Sequence, residues 1–190
     1  MQDPYCYLGT NVLKNKLGIR DDAELMDEER NFTNLREEEL LRSQIRGKFD
    51  LKHLQKIHQY LFQDIYDWAG KIRTVDIAKG NLFCKVELIK PQAEIIFDGL
   101  KSEKYLRGLN VKDFTERLAY YLGEINALHP FREGNGRAER EFIRELAFQN
   151  GYFLAFKDVK KEELIEASKA SFLGNYLPLF DMLSSSLRPI

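Results

Sequence analysis

The segment His129-Pro130-Phe131-Arg132-Glu133-Gly134-Asn135-Gly136-Arg137-Ala138-Glu139-Arg140 holds most of the groups needed to handle a polyphosphate. Gly134, Asn135 and Gly136 tolerate left-handed or strained backbone, so successive amide N–H groups can point into one concavity. A helix that starts there adds the positive end of its dipole to the same cradle. Arg137 opens that helix and Arg140 follows one turn later on the same side, so both guanidinium groups can reach back towards an anion. Two arginines suit a polyphosphate better than a single carboxylate. Glu133 would repel a phosphate unless a cation such as Mg²⁺ lay between them, which points to a metal–nucleotide complex. His129 is the candidate for proton transfer at neutral pH, and Phe131 is expected to turn into the core and fix the loop. The chemistry that fits is phosphoryl or nucleotidyl transfer to a hydroxyl: His129 takes the proton, the cradle neutralises the attacked phosphate, and metal and arginines stabilise the leaving phosphate.

Each piece alone has a plainer explanation. A histidine before proline is usually a surface or capping residue, Gly-Asn-Gly is usually a turn, and Arg137, Glu141 and Arg144 could form only a solvated helix face with ion pairs. The combination decides, because a chance match to His-x-Phe-x-acid-Gly-Asn-Gly-Arg-x-x-Arg has a probability on the order of 10⁻⁸ in a chain of this size. The segment is not a P-loop, since no Gly-Lys-Ser/Thr closes it.

The elements that must position this loop read as mostly helical. Leu54, Ile57, Leu61 and Ile65 recur at three- and four-residue steps behind a capping Asp50. Ile72, Val75 and Ile77, then Lys79-Gly80-Asn81 and Leu82-Phe83, predict a short hairpin or flap turning at Gly-Asn. Pro91 opens a helix with Ile95, Ile96, Leu100 and Leu106 on its apolar side. A longer helix from about Val111 carries Phe114, Leu118, Tyr121, Leu122, Ile125 and Leu128, and stops at His129-Pro130 because proline disfavours helical backbone before it. His129 therefore falls just past a helix end. The next helix starts near Gly136, carries Phe142, Ile143, Leu146 and Ala147, and ends at Gly151. Lys160 to about Leu183 is again helical, with a break at Gly174-Asn175 and Pro178.

At these residues the chain resembles the Fic family, named for cell filamentation and typified by protein adenylyltransferases. The likeness extends to Phe49–Ile65, to Asp67-Trp68-Ala69-Gly70-Lys71-Ile72-Arg73-Thr74, and to Ala170-Ser171-Phe172-Leu173-Gly174-Asn175-Tyr176, which look like Fic toxin sequences. The resemblance implies a mainly α Fic fold, a helical bundle with a β-hairpin flap over the active-site loop, as one domain with a core at about 49–183 and a helical N-terminal extension at 1–48. It implies transfer of AMP from ATP to a Ser, Thr or Tyr hydroxyl of a target protein, with pyrophosphate released. Carried over residue by residue, His129 would be the general base and Glu133 would hold Mg²⁺. Asn135 with the Gly134 and Gly136 amides would bind the α- and β-phosphates, Arg137 and Arg140 would take the outer phosphates, and Asn126 would help line the nucleotide pocket. The flap, Thr74, Val75, Asp76, Ile77, Ala78, Lys79, Gly80, Asn81, Leu82 and Phe83, would dock the target backbone by strand addition. Relatives of the Doc toxin, which phosphorylate their targets, carry Lys where this chain has Gly136, so the small residue favours adenylylation. Other relatives transfer UMP or phosphocholine. A catalytically silent nucleotide- or peptide-binding module is the alternative, and intact His129, Glu133 and Arg140 argue against it.

The resemblance also implies a restraint. Many relatives carry a helix with Ser/Thr-x-x-x-Glu-Gly/Asn whose Glu pairs with the last arginine of the motif. Thr33-Asn34-Leu35-Arg36-Glu37 comes nearest here, but Glu38 follows where Gly or Asn is expected, and the near-match is read as chance in a Glu-rich helix. The expected restraint is a small antitoxin placing its own Glu against Arg140. A bacterial topoisomerase is the target that the resemblance suggests for short toxin-type members.

Composition supports one neutral globular domain. The 190 residues are 44% hydrophobic and 31% charged, and 29 basic residues balance 30 acidic ones. Without a basic excess a nucleic-acid partner is not expected. Apolar runs such as Leu118–Leu122 fall far short of the roughly 20 residues of a membrane helix. Met1-Gln2-Asp3-Pro4 does not resemble a secretory signal, so the cytosol is the expected compartment. Two cysteines, Cys6 and Cys84, suit a reducing environment, though a bond between them stays open, and His53, His58 and His129 make no four-ligand zinc pattern.

Overall fold

Asp50 accepts the backbone N–H of His53 at 2.8 Å and caps α2 (Leu51–Phe62), whose apolar side buries Leu54, Ile57, Leu61 and Phe62. The computed structural model describes residues 3–79, 81–156 and 159–190. The other α-helices of the described residues are α1 (Asp22–Arg42), α3 (Ile89–Ser102), α4 (Val111–Leu128), α5 (Asn135–Gln149), α6 (Lys161–Phe172) and α7 (Leu177–Ser186). Four short strands complete the described residues: β1 (Ala78–Lys79), β2 (Asn81–Leu82), β3 (Tyr152–Leu154) and β4 (Leu187–Pro189). No described helix is long and apolar enough to cross a membrane.

The core is built on α4 and α5. Asn110 caps α4 through the Asp113 N–H at 3.0 Å, and Phe114, Leu118, Tyr121, Leu122, Ile125 and Leu128 are buried along it. α5 buries Phe142, Ile143, Leu146 and Ala147 and packs against both α2 and α4, while α3, α6 and α7 pack on α4. The turn between α4 and α5 is thereby held from both ends. This matches the mostly helical reading of the periodicity and the helical bundle that the resemblance implies.

Several expectations need correction. Residues 3–21 are not helical: they form turns with an isolated bridge between Cys6 and Leu13, and helix begins only where Asp21 caps the Glu24 N–H at 2.9 Å. Ile95, read as part of the apolar side of α3, is exposed. Pro178 does not break a helix; it occupies the first turn of α7, where its missing N–H costs nothing. The antiparallel pair β3–β4, with Phe153 opposite Arg188, had no sequence signal because its strands lie more than 30 residues apart and are three residues long. Cys6 and Cys84 are both free thiols.

The flap is smaller than expected. β1 and β2 pair antiparallel with Ala78 opposite Leu82 and Lys79 opposite Asn81; Gly80, expected at the turn, lies outside the described residues. Thr74, Val75 and Asp76 form its anchored base.

Candidate active site

His129 is the C-cap of α4 and takes left-handed backbone, φ 45° and ψ 58°, which turns the chain out of the helix and into the loop. The residue is buried, 8% exposed. Nδ1 lies 3.3 Å from the Asn126 carbonyl, and since a carbonyl only accepts, the proton sits on Nδ1 and Nε2 is the basic nitrogen of the neutral ring. Phe83 stacks on the imidazole with ring centroids 3.6 Å apart and planes 13° apart. Asn126, expected to line the nucleotide pocket, orients the His129 ring through its carbonyl. Phe83 is buried beneath the flap against His129 and 5.4 Å from Phe172, so it is a wall of the site and not an exposed docking residue.

A second buried histidine shapes the loop. His58 on α2 accepts the Gly70 N–H at Nδ1 (2.9 Å), so its Nε2–H donates to the Glu133 carbonyl at 2.9 Å. Burial pushes its pKa down to about 4, so the ring stays neutral and serves as a cross-link, sandwiched on Phe131 and Phe62. Phe131 is fully buried, as expected. Asn135 departs from expectation: its Oδ1 accepts the Phe131 N–H and its Nδ2 donates to the Phe131 carbonyl, both at 2.8 Å. Its side chain therefore clamps the loop, and what it offers a phosphate is the backbone amide in the first turn of α5.

Gly134 has φ +80°, and a Cβ there would come within 2.2 Å of the Phe62 ring. Only glycine fits, and its N–H is turned towards the Glu133 Oε1 at 3.0 Å. At Gly136 a Cβ would stand 3.0 Å from Arg140 Nη1, which places that guanidinium over the N-terminal turn of α5. Burial lowers the Arg140 pKa, opposed by the nearby Glu139 and Glu37 carboxylates. Arg137, expected beside it on the outer phosphates, is committed to α1: Nη2 pairs with Glu29, Nη1 donates to Thr33 Oγ1 at 3.1 Å, and the guanidinium lies 4.6 Å over the Phe62 ring. Glu29 is in turn bonded by the Tyr66 hydroxyl. Arg140 is the motif arginine that lies over the N-terminal turn of α5.

The flap hangs from one buried arginine. Arg73, 1% exposed, donates through Nε to the His129 carbonyl at 2.8 Å and through its Nη atoms to the carbonyls of Val75 (2.7 Å) and Cys84, while its backbone N–H donates to the Pro130 carbonyl at 2.9 Å. Thr74 is held by the Tyr5 hydroxyl, and Asp76 accepts the Val86 N–H at 2.9 Å. Leu82 is 56% exposed, and Ala78, its partner across the pair, is exposed as well, so the described outward-facing residues of the flap are these two.

Neither His58, Arg73, Glu29 nor Thr33 was singled out from the sequence as a site residue. Signals existed: His58 sits on the apolar stripe of α2 between Ile57 and Leu61, and Glu29 and Thr33 occupy helical spacing with the buried Leu25 and Leu40. A polar residue on a buried stripe needs a buried partner.

The sequence profile of the Fic/DOC family matches residues 48–147, the span from the start of α2 almost to the end of α5. The chain belongs to the Fic/DOC family. It is 47% identical over 187 residues to the protein adenylyltransferase VbhT of Bartonella schoenbuchensis, covering 98% of this chain and 38% of that protein. It is 40% identical to the probable protein adenylyltransferase Fic of Escherichia coli, covering 94% and 88%. Among solved Fic structures, the BepC effector of Bartonella tribocorum with bound AMPPNP superposes with a TM-score of 0.90 at 27% identity, over 98% of this chain and 97% of that one. An N-terminal Fic domain from Bartonella quintana with bound ADP gives 0.92 at 28%, over 97% and 94%. Fic/DOC relatives spanning nearly the whole of this chain thus include named adenylyltransferases and nucleotide-bound structures.

Proposed function

We propose that this chain transfers AMP from ATP to a Ser, Thr or Tyr hydroxyl of a target protein, releasing pyrophosphate. The observation that carries the reading is His129, buried and tautomerically fixed, at the mouth of a loop whose glycine-bearing end opens the N-terminus of α5. Nε2 takes the proton of the attacking hydroxyl. The amides of Asn135 and Gly136 and the α5 dipole hold charge on the phosphates, while the Gly134 N–H, expected to join them, is turned to Glu133 Oε1. Arg140, lying over Gly136, takes the outer phosphates, and a small residue at 136 leaves it that place.

Glu133 suits Mg²⁺. No group of three or more His, Cys, Asp or Glu side chains converges among the described residues, and Mg²⁺ favours one or two carboxylates with nucleotide oxygens completing its shell. When bound, the ion would neutralise charge on the departing phosphates. The target backbone would add to the flap between Ile77 and Leu82, with Phe83 closing the wall behind the hydroxyl. Bacterial topoisomerases are the target class suggested by the resemblance, and restraint would come from a small protein placing a carboxylate against Arg140.

The test is donor labelling. ATP labelled at the α-phosphate, with Mg²⁺ and a bacterial lysate, should mark a protein, while ATP labelled at the γ-phosphate should mark none. Label carried only from the γ-phosphate would replace adenylylation with phosphorylation.

A further inference from the structure

We propose that Glu139, one turn into α5, is a positioning residue that gates Arg140: as a neutral acid it leaves the arginine's charge to the outer phosphates, and as a carboxylate it neutralises that charge from within. The inference rests on the reading above that Arg140 holds those phosphates.

Glu139 is 5% exposed, and its Oε2 has no hydrogen-bond partner. A buried, unpartnered carboxyl is costly, and nothing in the packing of α5 accounts for it. Its other oxygen lies 3.9 Å from the point where a Gly136 Cβ would stand, and Arg140 Nη1 lies 3.0 Å from the same point. Carboxyl and guanidinium therefore converge over the N-terminal turn of α5, where the cradle forms.

Burial pushes the Glu139 carboxyl up to about 8, and Arg140 is the one charge that opposes the shift. The charges acting on Arg140 are Glu139 and Arg137 of its own helix and Glu37 of α1. Arg137 is held by Glu29, and the Glu37 carboxyl is itself raised by burial. α2 brings His53, paired with Glu145, and the neutral His58 to this helix, and the α4 end brings His129. A phosphate arriving at Arg140 adds negative charge beside Glu139 and raises its proton affinity further, so above about pH 8 ATP binding takes up a proton from solvent.

ATP with Mg²⁺ and AMP, which lacks outer phosphates, should therefore respond differently to pH. Between pH 7 and pH 9 the Kd of the wild type for ATP should rise about tenfold, because each unit above the carboxyl's pKa costs about tenfold. The Kd for AMP should stay constant. Glu139→Gln should bind ATP with the neutral-pH affinity across the range. Calorimetry of the wild type in two buffers of different ionisation enthalpy gives a readout that needs no variant: most of a proton should be taken up per ATP at pH 8.5. A Glu139→Gln profile as steep as the wild type's, or no proton uptake, would overturn the gate. Glu37→Gln should keep the wild-type profile, and a flat profile there would assign the titration to Glu37 instead. If Arg140→Ala bound ATP as tightly as the wild type, the phosphate role of Arg140 would fall, and the gate with it.

Discussion

At the residue scale the loop is rigid before any substrate arrives, and His58 shows how. Its imidazole is held near 4 against an ordinary 6.5 because burial disfavours the charged ring. Below 6.5 the unfolded chain binds a proton that the folded chain refuses, so this contribution is fully present above 6.5 and is lost as pH falls towards 4. The wild type should lose about 2 kcal/mol of unfolding free energy between pH 6.5 and about pH 5 from this group alone. Urea midpoints across that range should show a shallower slope for His58→Gln, and equal slopes would mean that His58 does not titrate as the geometry requires. Gly134 is a second constraint of this size. Gly134→Ala forces a Cβ into Phe62 at a positive φ and should cost about 3 kcal/mol or more, read as a lowered urea midpoint.

At the element scale the flap and the catalytic loop are one unit because Arg73 bonds to both. Arg73→Lys keeps the charge but cannot span the carbonyls of His129, Val75 and Cys84. Label transfer to the target should fall at least about tenfold while the Kd for ATP changes less than about twofold, since the cradle on α5 is untouched. Hydrogen exchange at residues 75–84 should accelerate in the same variant. A loss of ATP affinity as large as the loss of transfer would show instead that Arg73 supports the whole pocket.

The motif itself was legible because its groups are contiguous: a helix end, a glycine turn and a helix start follow from local rules, and α4, α5 and the position of His129 came out within a residue or so. What was not legible lies far away in the chain. Glu133 is 75 residues from His58, and Arg137 is 108 from Glu29, so no local pattern pairs them. The twelve-residue motif marks Asn135 and Arg137 as candidates, but does not show that one side chain would be spent on Phe131 and the other on α1. The hairpin was legible from its turn residues, and its brevity was not, because Arg73 and Tyr5 claim the backbone that would have extended it.

At the scale of the whole molecule the N-terminal segment is part of the site. Asp3 pairs with Arg132 at 2.7 Å, Tyr5 holds Thr74, α1 holds Arg137 through Glu29 and Thr33, and the buried Arg144–Glu141 pair reaches the Leu40 carbonyl. Removing one partner leaves a charge uncompensated, so Glu29→Ala should destabilise by about 2–4 kcal/mol, and a double-mutant cycle with Arg137→Ala should return a coupling above about 1 kcal/mol. Additive effects would mean that the pair contributes nothing to holding α1 on α5.

The role of His129 as the base in a transfer of AMP is checked by comparing the wild type with His129→Ala on ATP labelled at the α-phosphate. The wild type should label a protein, and the variant should lose at least about a hundredfold of that label while its Kd for ATP stays nearly unchanged. Equal labelling by the two proteins, or none by either while ATP is bound, would contradict it.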